Sequence, residues 1–101
     1  MLNALIALYA ASSVMHFALV ARYGIAGNIG TLVFAFIYGA LALAVAMAVP
    51  HALWAGLVLT LVGITGLSLN FLGIAKTVPT GVVFWAVDAV VIALTLYLLF
   101  A

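Results

Sequence analysis

The sequence predicts an all-α integral membrane protein, an up-down-up-down bundle of four transmembrane helices with short links. Three observations predict it. Of the 101 residues, 72% are apolar, where a soluble domain sits near one half. Only 3% are charged, namely Arg22, Lys76 and Asp88. A soluble fold of this size needs charge over about a quarter of its surface, so that class is excluded. Disorder is excluded too, because disordered chains are polar and charged. The third observation is punctuation: the apolar runs have about the 20 residues that a helix needs to cross hydrocarbon.

The elements follow in order as one domain, 1–101. Span one covers about 2–21 and stops at Arg22-Tyr23-Gly24. It lacks a basic leading segment and exceeds the apolar length of a secretory signal, so it reads as a span. The link from Gly24 to Gly30 has no GK[ST] ending and no preceding strand, so it reads as a flexible turn, not a phosphate loop. Span two covers about 31–49 and stops at Pro50-His51. Span three covers about 52–73 and stops before Lys76-Thr77-Val78-Pro79. Span four covers about 81–101. Proline after an apolar run is a stop signal, and both prolines sit at boundaries. Short links make each helix antiparallel to the one before it.

Arg22 and Lys76 then share one side of the membrane, opposite the termini and His51. The positive-inside rule places those two links in the cytoplasm and both termini on the non-cytoplasmic side. Trp54, Tyr97 and Tyr23 fall near the interfaces, where aromatic rings anchor a helix.

Several functions are excluded. Two cationic side chains cannot neutralise the phosphates that nucleic-acid binding requires. Without cysteine there is no disulfide and no thiolate metal site. His16 and His51 lie at opposite depths, so neither a haem nor a metal has a ligand set, and no cofactor is expected. Ser12 or Ser13 with His16 and Asp88 supply the residue types of a catalytic triad. Types alone are common, and no enzyme is expected.

Span three carries Gly56, Thr60, Gly63, Gly66, Asn70 and Gly73 at steps of three or four, which draws one stripe of small and polar residues along a helix. Span two adds Ala35-Gly39 and Ala40-Ala44-Ala48. Small faces let membrane helices approach closely. The stripe reads as a helix contact, within the bundle or as a homo-oligomer seam.

The polar residues are sorted by depth. Asp88 lies roughly 12 Å into span four, His16 roughly 9 Å and Tyr38 roughly 10 Å from the Arg22/Lys76 side. Ser12 and Ser13 are one turn deeper than His16, and Asn70 is nearer the surface. All six fall in one half of the bilayer. The other half offers only uncharged Asn3, Tyr9, Thr60 and Thr95. A through-pore would be polar at every depth, so a half-depth pocket opening on the Arg22/Lys76 side fits better. The cluster reads as a structural hydrogen-bond network or as a site for a proton, cation or small polar group. Asp88 shares a helical face with Gly81, Trp85 and Thr95, and matching depth pairs it with His16.

The leading functional reading is lateral helix association, as a homo-oligomer or an accessory subunit of a larger membrane complex. Its partners would be the lipid bilayer and other membrane subunits. The alternative is a small proton- or cation-coupled transporter or channel-like protein using Asp88 and His16. Pro79-Thr80-Gly81-Val82-Val83-Phe84 resembles the Pro-Thr-Gly-Val-Ala-Tyr segment of small multidrug resistance transporters, over some six residues. That segment opens span four here and span three in the family. The family's membrane glutamate in span one has no counterpart, so no functional residue is carried over. What the resemblance implies is the proton-coupled alternative.

Overall fold

Buried positions on the first helix, α1 (Leu2–Tyr23), fall at Leu5, Tyr9, Ser12, His16 and Leu19, the spacing of a single helical face. The same spacing recurs on α2 (Ile29–Ala46) at Thr31, Ala35, Tyr38 and Val45. On α3 (Ala52–Leu69) it runs through Ala52, Gly56 and Thr60. A short α4 (Phe71–Ala75) follows, and α5 (Val78–Phe100) buries Gly81, Phe84, Asp88, Val91 and Thr95. The computed structural model describes residues 1–101. The chain is all-helical, and α1, α2, α3 and α5 are each long and apolar enough to cross a membrane.

The helix ends follow from local chemistry. Gly24 takes φ 86° after α1, a left-handed turn that costs glycine nothing. Asn28 precedes α2, and its side-chain amide donates to the Gly24 carbonyl at 2.8 Å, closing the link on itself. Span two ends at Ala46, three residues earlier than the sequence reading, because Ala48 turns to φ 54° ahead of Pro50. Thr77 caps α5 by accepting from the Thr80 backbone N–H at 3.3 Å. Pro79 then sits in the first turn, where its missing N–H is not needed, so α5 begins at Val78 and not at Gly81.

Span three departs most from expectation. It is not one helix to Gly73 but two, broken at Asn70, which leaves helical geometry at φ −135°, ψ 56°. The break turns Phe71 onto α5, where its ring lies against Gly81 in the space that a Cβ would need.

The helices form a ring: α1 lies along α2, α3 along α5, and α1–α5 and α2–α3 contacts close it. The bundle is 37 Å long, against a hydrocarbon core of about 30 Å. One apolar core, built on Leu5, Leu41, Val45, Ala52 and Val91, fills the end near the termini. A smaller one of Leu19, Leu67, Ala75 and Phe84 lies toward the α1–α2 link.

Candidate functional site

Asp88 is buried on the inner face of α5, 4% exposed. Its Oδ1 accepts a hydrogen bond from the Tyr38 hydroxyl of α2 at 2.9 Å. The Tyr38 ring is held from several sides. Tyr9 stacks on it at 6.0 Å between centroids, Phe34 packs at 5.8 Å and His16 at 5.2 Å. Each of those rings comes from α1 or from one turn earlier on α2, so helix packing aims the hydroxyl at the carboxylate.

His16 has a different partner from the one its depth suggested. Its Nδ1 lies 2.7 Å from the Ser12 carbonyl. A carbonyl can only accept, so Nδ1 carries a proton and donates it to this contact. The imidazole stacks on Phe84 at 4.8 Å, one turn before Asp88 on α5. The carboxylate's hydrogen bond is with Tyr38 instead, because His16 turns back to its own helix while the longer tyrosine crosses the bundle.

A cavity of about 250 Å³ runs from Asp88 and Tyr38 to the α1–α2 link at Gly27, Asn28 and Gly30. His16 and Asn70 also line it, so four of the six residues expected at a polar pocket meet there. Ser12 and Ser13 do not. Ser12 serves His16, and the Ser13 hydroxyl donates to the Ala35 carbonyl at 2.6 Å, tying α1 to α2 beside Gly39. Trp85 is absent from the site as well. It is exposed and reaches Ser68 through its indole N–H at 3.3 Å.

The glycine stripe of α3 divides between two uses. Tyr9 places its hydroxyl on Gly56, where a Cβ would stand, and the Tyr38 hydroxyl would lie 2.9 Å from a Cβ at Gly63. A Cβ at Gly66 would meet nothing within 4 Å, because that residue faces the cavity. Gly73 carries the Asn70 side chain against it. The stripe is therefore covered by side chains of the same protein or left open to the pocket.

Sequence reasoning missed Thr31, Phe34 and Phe84 as lining residues. The signal was available: Thr31 and Phe34 precede Tyr38 by seven and four residues, and Phe84 precedes Asp88 by four, each on the same helical face.

Chemically the cavity offers acceptors at its inner end and aromatic faces on its walls. A volume of 250 Å³ holds about eight waters or one small organic ion. No group of three or more histidine, cysteine, aspartate or glutamate side chains gathers in the structure. No family model, no curated protein and no solved structure matches the chain.

Proposed function

We propose that this is a multi-pass membrane protein that takes a small organic ammonium ion into the cavity, with Asp88 as its counter-charge. The four long helices cross the bilayer in alternating directions, with the Arg22 and Lys76 links on the cytoplasmic side, so the cavity opens toward the cytoplasm. The observation that carries the reading is the junction of one carboxylate with aromatic walls in one cavity. Asp88 lies at the inner end, and Phe34, Tyr38 and Phe84 line the way to it. Aromatic faces attract a desolvated cation, by about 2 kcal/mol in favourable cases. A buried carboxylate in hydrocarbon favours a cation that offsets its charge. One carboxyl group cannot hold a proton and balance a cation at once, so the two compete, and binding of the cation is coupled to release of a proton.

The test is equilibrium binding of tetramethylammonium to the purified protein in detergent. Asp88→Asn keeps the shape and removes the charge, and should weaken binding about tenfold or more, the loss of a charged contact. Equal binding by parent and variant would remove the carboxylate from the site. Reporter fusions at both termini test the orientation, and cytoplasmic termini would reverse it. Lateral association, read from the small-residue stripe, has less support, since Gly56 and Gly63 are filled by Tyr9 and Tyr38.

A further inference from the structure

Asp88 occupies only the inner end of the cavity. Along α2 the wall runs Thr31, Phe34, Tyr38, so a hydroxyl, a ring and a second hydroxyl follow one another toward the carboxylate. The Tyr38 hydroxyl is committed to Asp88. The Thr31 hydroxyl has no hydrogen-bond partner, although Thr31 is only 7% exposed. It is not one of the fully enclosed hydroxyls, which are those of Tyr9 and Thr60, so its free face is toward the cavity that Thr31 lines. Asn28, 6% exposed, lines the same outer end just ahead of α2. Its amide nitrogen is committed to the Gly24 carbonyl at 2.8 Å, which leaves its side-chain oxygen as a free acceptor. A buried polar atom without a partner costs free energy, and native structures keep few of them. Between the two polar ends the space is open. Phe34 packs against Gly63, and one turn further a Cβ at Gly66 would meet nothing within 4 Å.

We propose that the cation held at Asp88 carries a hydroxyl group about three or four carbons from its nitrogen, and that Thr31 and Asn28 bind that hydroxyl. The inference rests on Asp88 as the counter-charge and adds the second half of the ligand. Helix rise sets the spacing. Thr31 and Tyr38 are seven residues apart on α2, about 10 Å along its axis. A hydrogen bond of about 2.9 Å at each end leaves about 4–5 Å. An extended chain of about three or four carbons, at ~1.5 Å per bond, covers that distance.

The outer end suits a hydroxyl better than a charge. A second ammonium would find no carboxylate there, since Asp88 is the one acidic residue of the chain. A carboxylate would face the Asn28 oxygen, and two acceptors repel. A hydroxyl satisfies both side chains at once, donating to Asn28 and accepting from Thr31. The rival is set by Lys76, whose ammonium donates to the carbonyl of Gly73 on the cavity rim at 2.8 Å. Its charge would favour a carboxylate in the same position, so the two groups are compared directly below.

The experiment is equilibrium binding of 4-amino-1-butanol and of pentylamine to the purified protein in detergent. Both are cations at neutral pH and equal in length, and only one has a hydroxyl. Thr31→Val puts a methyl where the hydroxyl stands. It should weaken 4-amino-1-butanol about fivefold more than pentylamine, the weight of one hydrogen bond. Thr31→Ser, which keeps the hydroxyl, should discriminate like the parent. The melting temperature in detergent shows whether the variants fold. An equal effect of Thr31→Val on both ligands overturns the hydroxyl subsite and leaves Asp88 its role. Asp88→Asn binding both cations like the parent overturns the counter-charge and the subsite with it. Tighter binding of 5-aminopentanoate than of 4-amino-1-butanol also overturns the subsite and assigns the outer end to a carboxylate beside Lys76. If Thr31→Val does not fold, chain length in the parent decides. The advantage of the alcohol over its alkyl analogue must be larger for 4-amino-1-butanol against pentylamine than for 2-aminoethanol against propylamine. Equal ratios overturn the subsite.

Discussion

The two ends of the bundle are built differently. Near the termini, Leu5, Leu41, Val45, Ala52 and Val91 interlock around α1, α2, α3 and α5. Toward the links, Leu19, Leu67, Ala75 and Phe84 pack beside a cavity that reaches Asp88. In lipid no hydrophobic force draws helices together, so close packing must do so. The end near the termini supplies that packing, which lets the other end tolerate an opening. The tight packing and the cavity therefore occupy different depths of the same four helices.

The comparison can be broken at the stripe of α3, which crosses both ends. Gly56→Leu forces a side chain into the place of the Tyr9 hydroxyl. Overpacking of this kind should cost about 3 kcal/mol, read as a lower melting temperature in detergent. A variant that melts like the parent would show that Tyr9 is not packed there. An intermediate effect is expected at the junction of the two regions. Tyr38→Phe strips Asp88 of its donor and should cost about 1–2 kcal/mol. Part of that loss is recovered if water in the cavity replaces the hydroxyl, so added tetramethylammonium should restabilise this variant more than the parent. The smallest effect belongs to the open end. Gly66→Ala meets nothing within 4 Å and removes a flexible residue from a helix, so it should melt within about 0.5 kcal/mol of the parent, on the stable side. Marked destabilisation would mean that the cavity is closed in solution.

Much of this architecture is written in the sequence, and the missing part has a physical cause. The four long helices are legible because their apolar runs are long and only a few residues interrupt them. The helical rise is fixed too: it put Ser12, Ser13, His16, Tyr38, Asn70 and Asp88 in one half of the helices, and four of the six, His16, Tyr38, Asn70 and Asp88, line one cavity. Rotation about the helix axis is not so fixed. Trp85 was placed on the face of Asp88, yet three residues turn a helix about 60° short of a full circle, and four turn it about 40° beyond. Phe84 is accordingly the buried neighbour and Trp85 the exposed one. The pairing of Asp88 with Tyr38, and of His16 with Ser12, depends on the same rotation, which side-chain packing sets. The break at Asn70 was hidden for another reason: a lone asparagine near the end of an apolar run is a weak stop signal, and the packing of Phe71 on Gly81 that goes with it does not show in the apolar pattern.

The position of Asp88 on α5 bears on how such a chain is made. An aspartate at the centre of an inserting helix costs about 3 kcal/mol on the scale read by the insertion machinery. The other long helices carry no acid, and α5, which carries one, is nonetheless among the more apolar of the four. Its six valines, four leucines, two phenylalanines and one isoleucine together favour insertion by roughly 4–8 kcal/mol. A segment of this composition would enter a membrane even with its carboxyl group unpartnered, and the contact with Tyr38 would form afterwards. Synthesis in chain order fits this sequence of events, because α2 is made long before α5 and presents its hydroxyl when the last helix arrives.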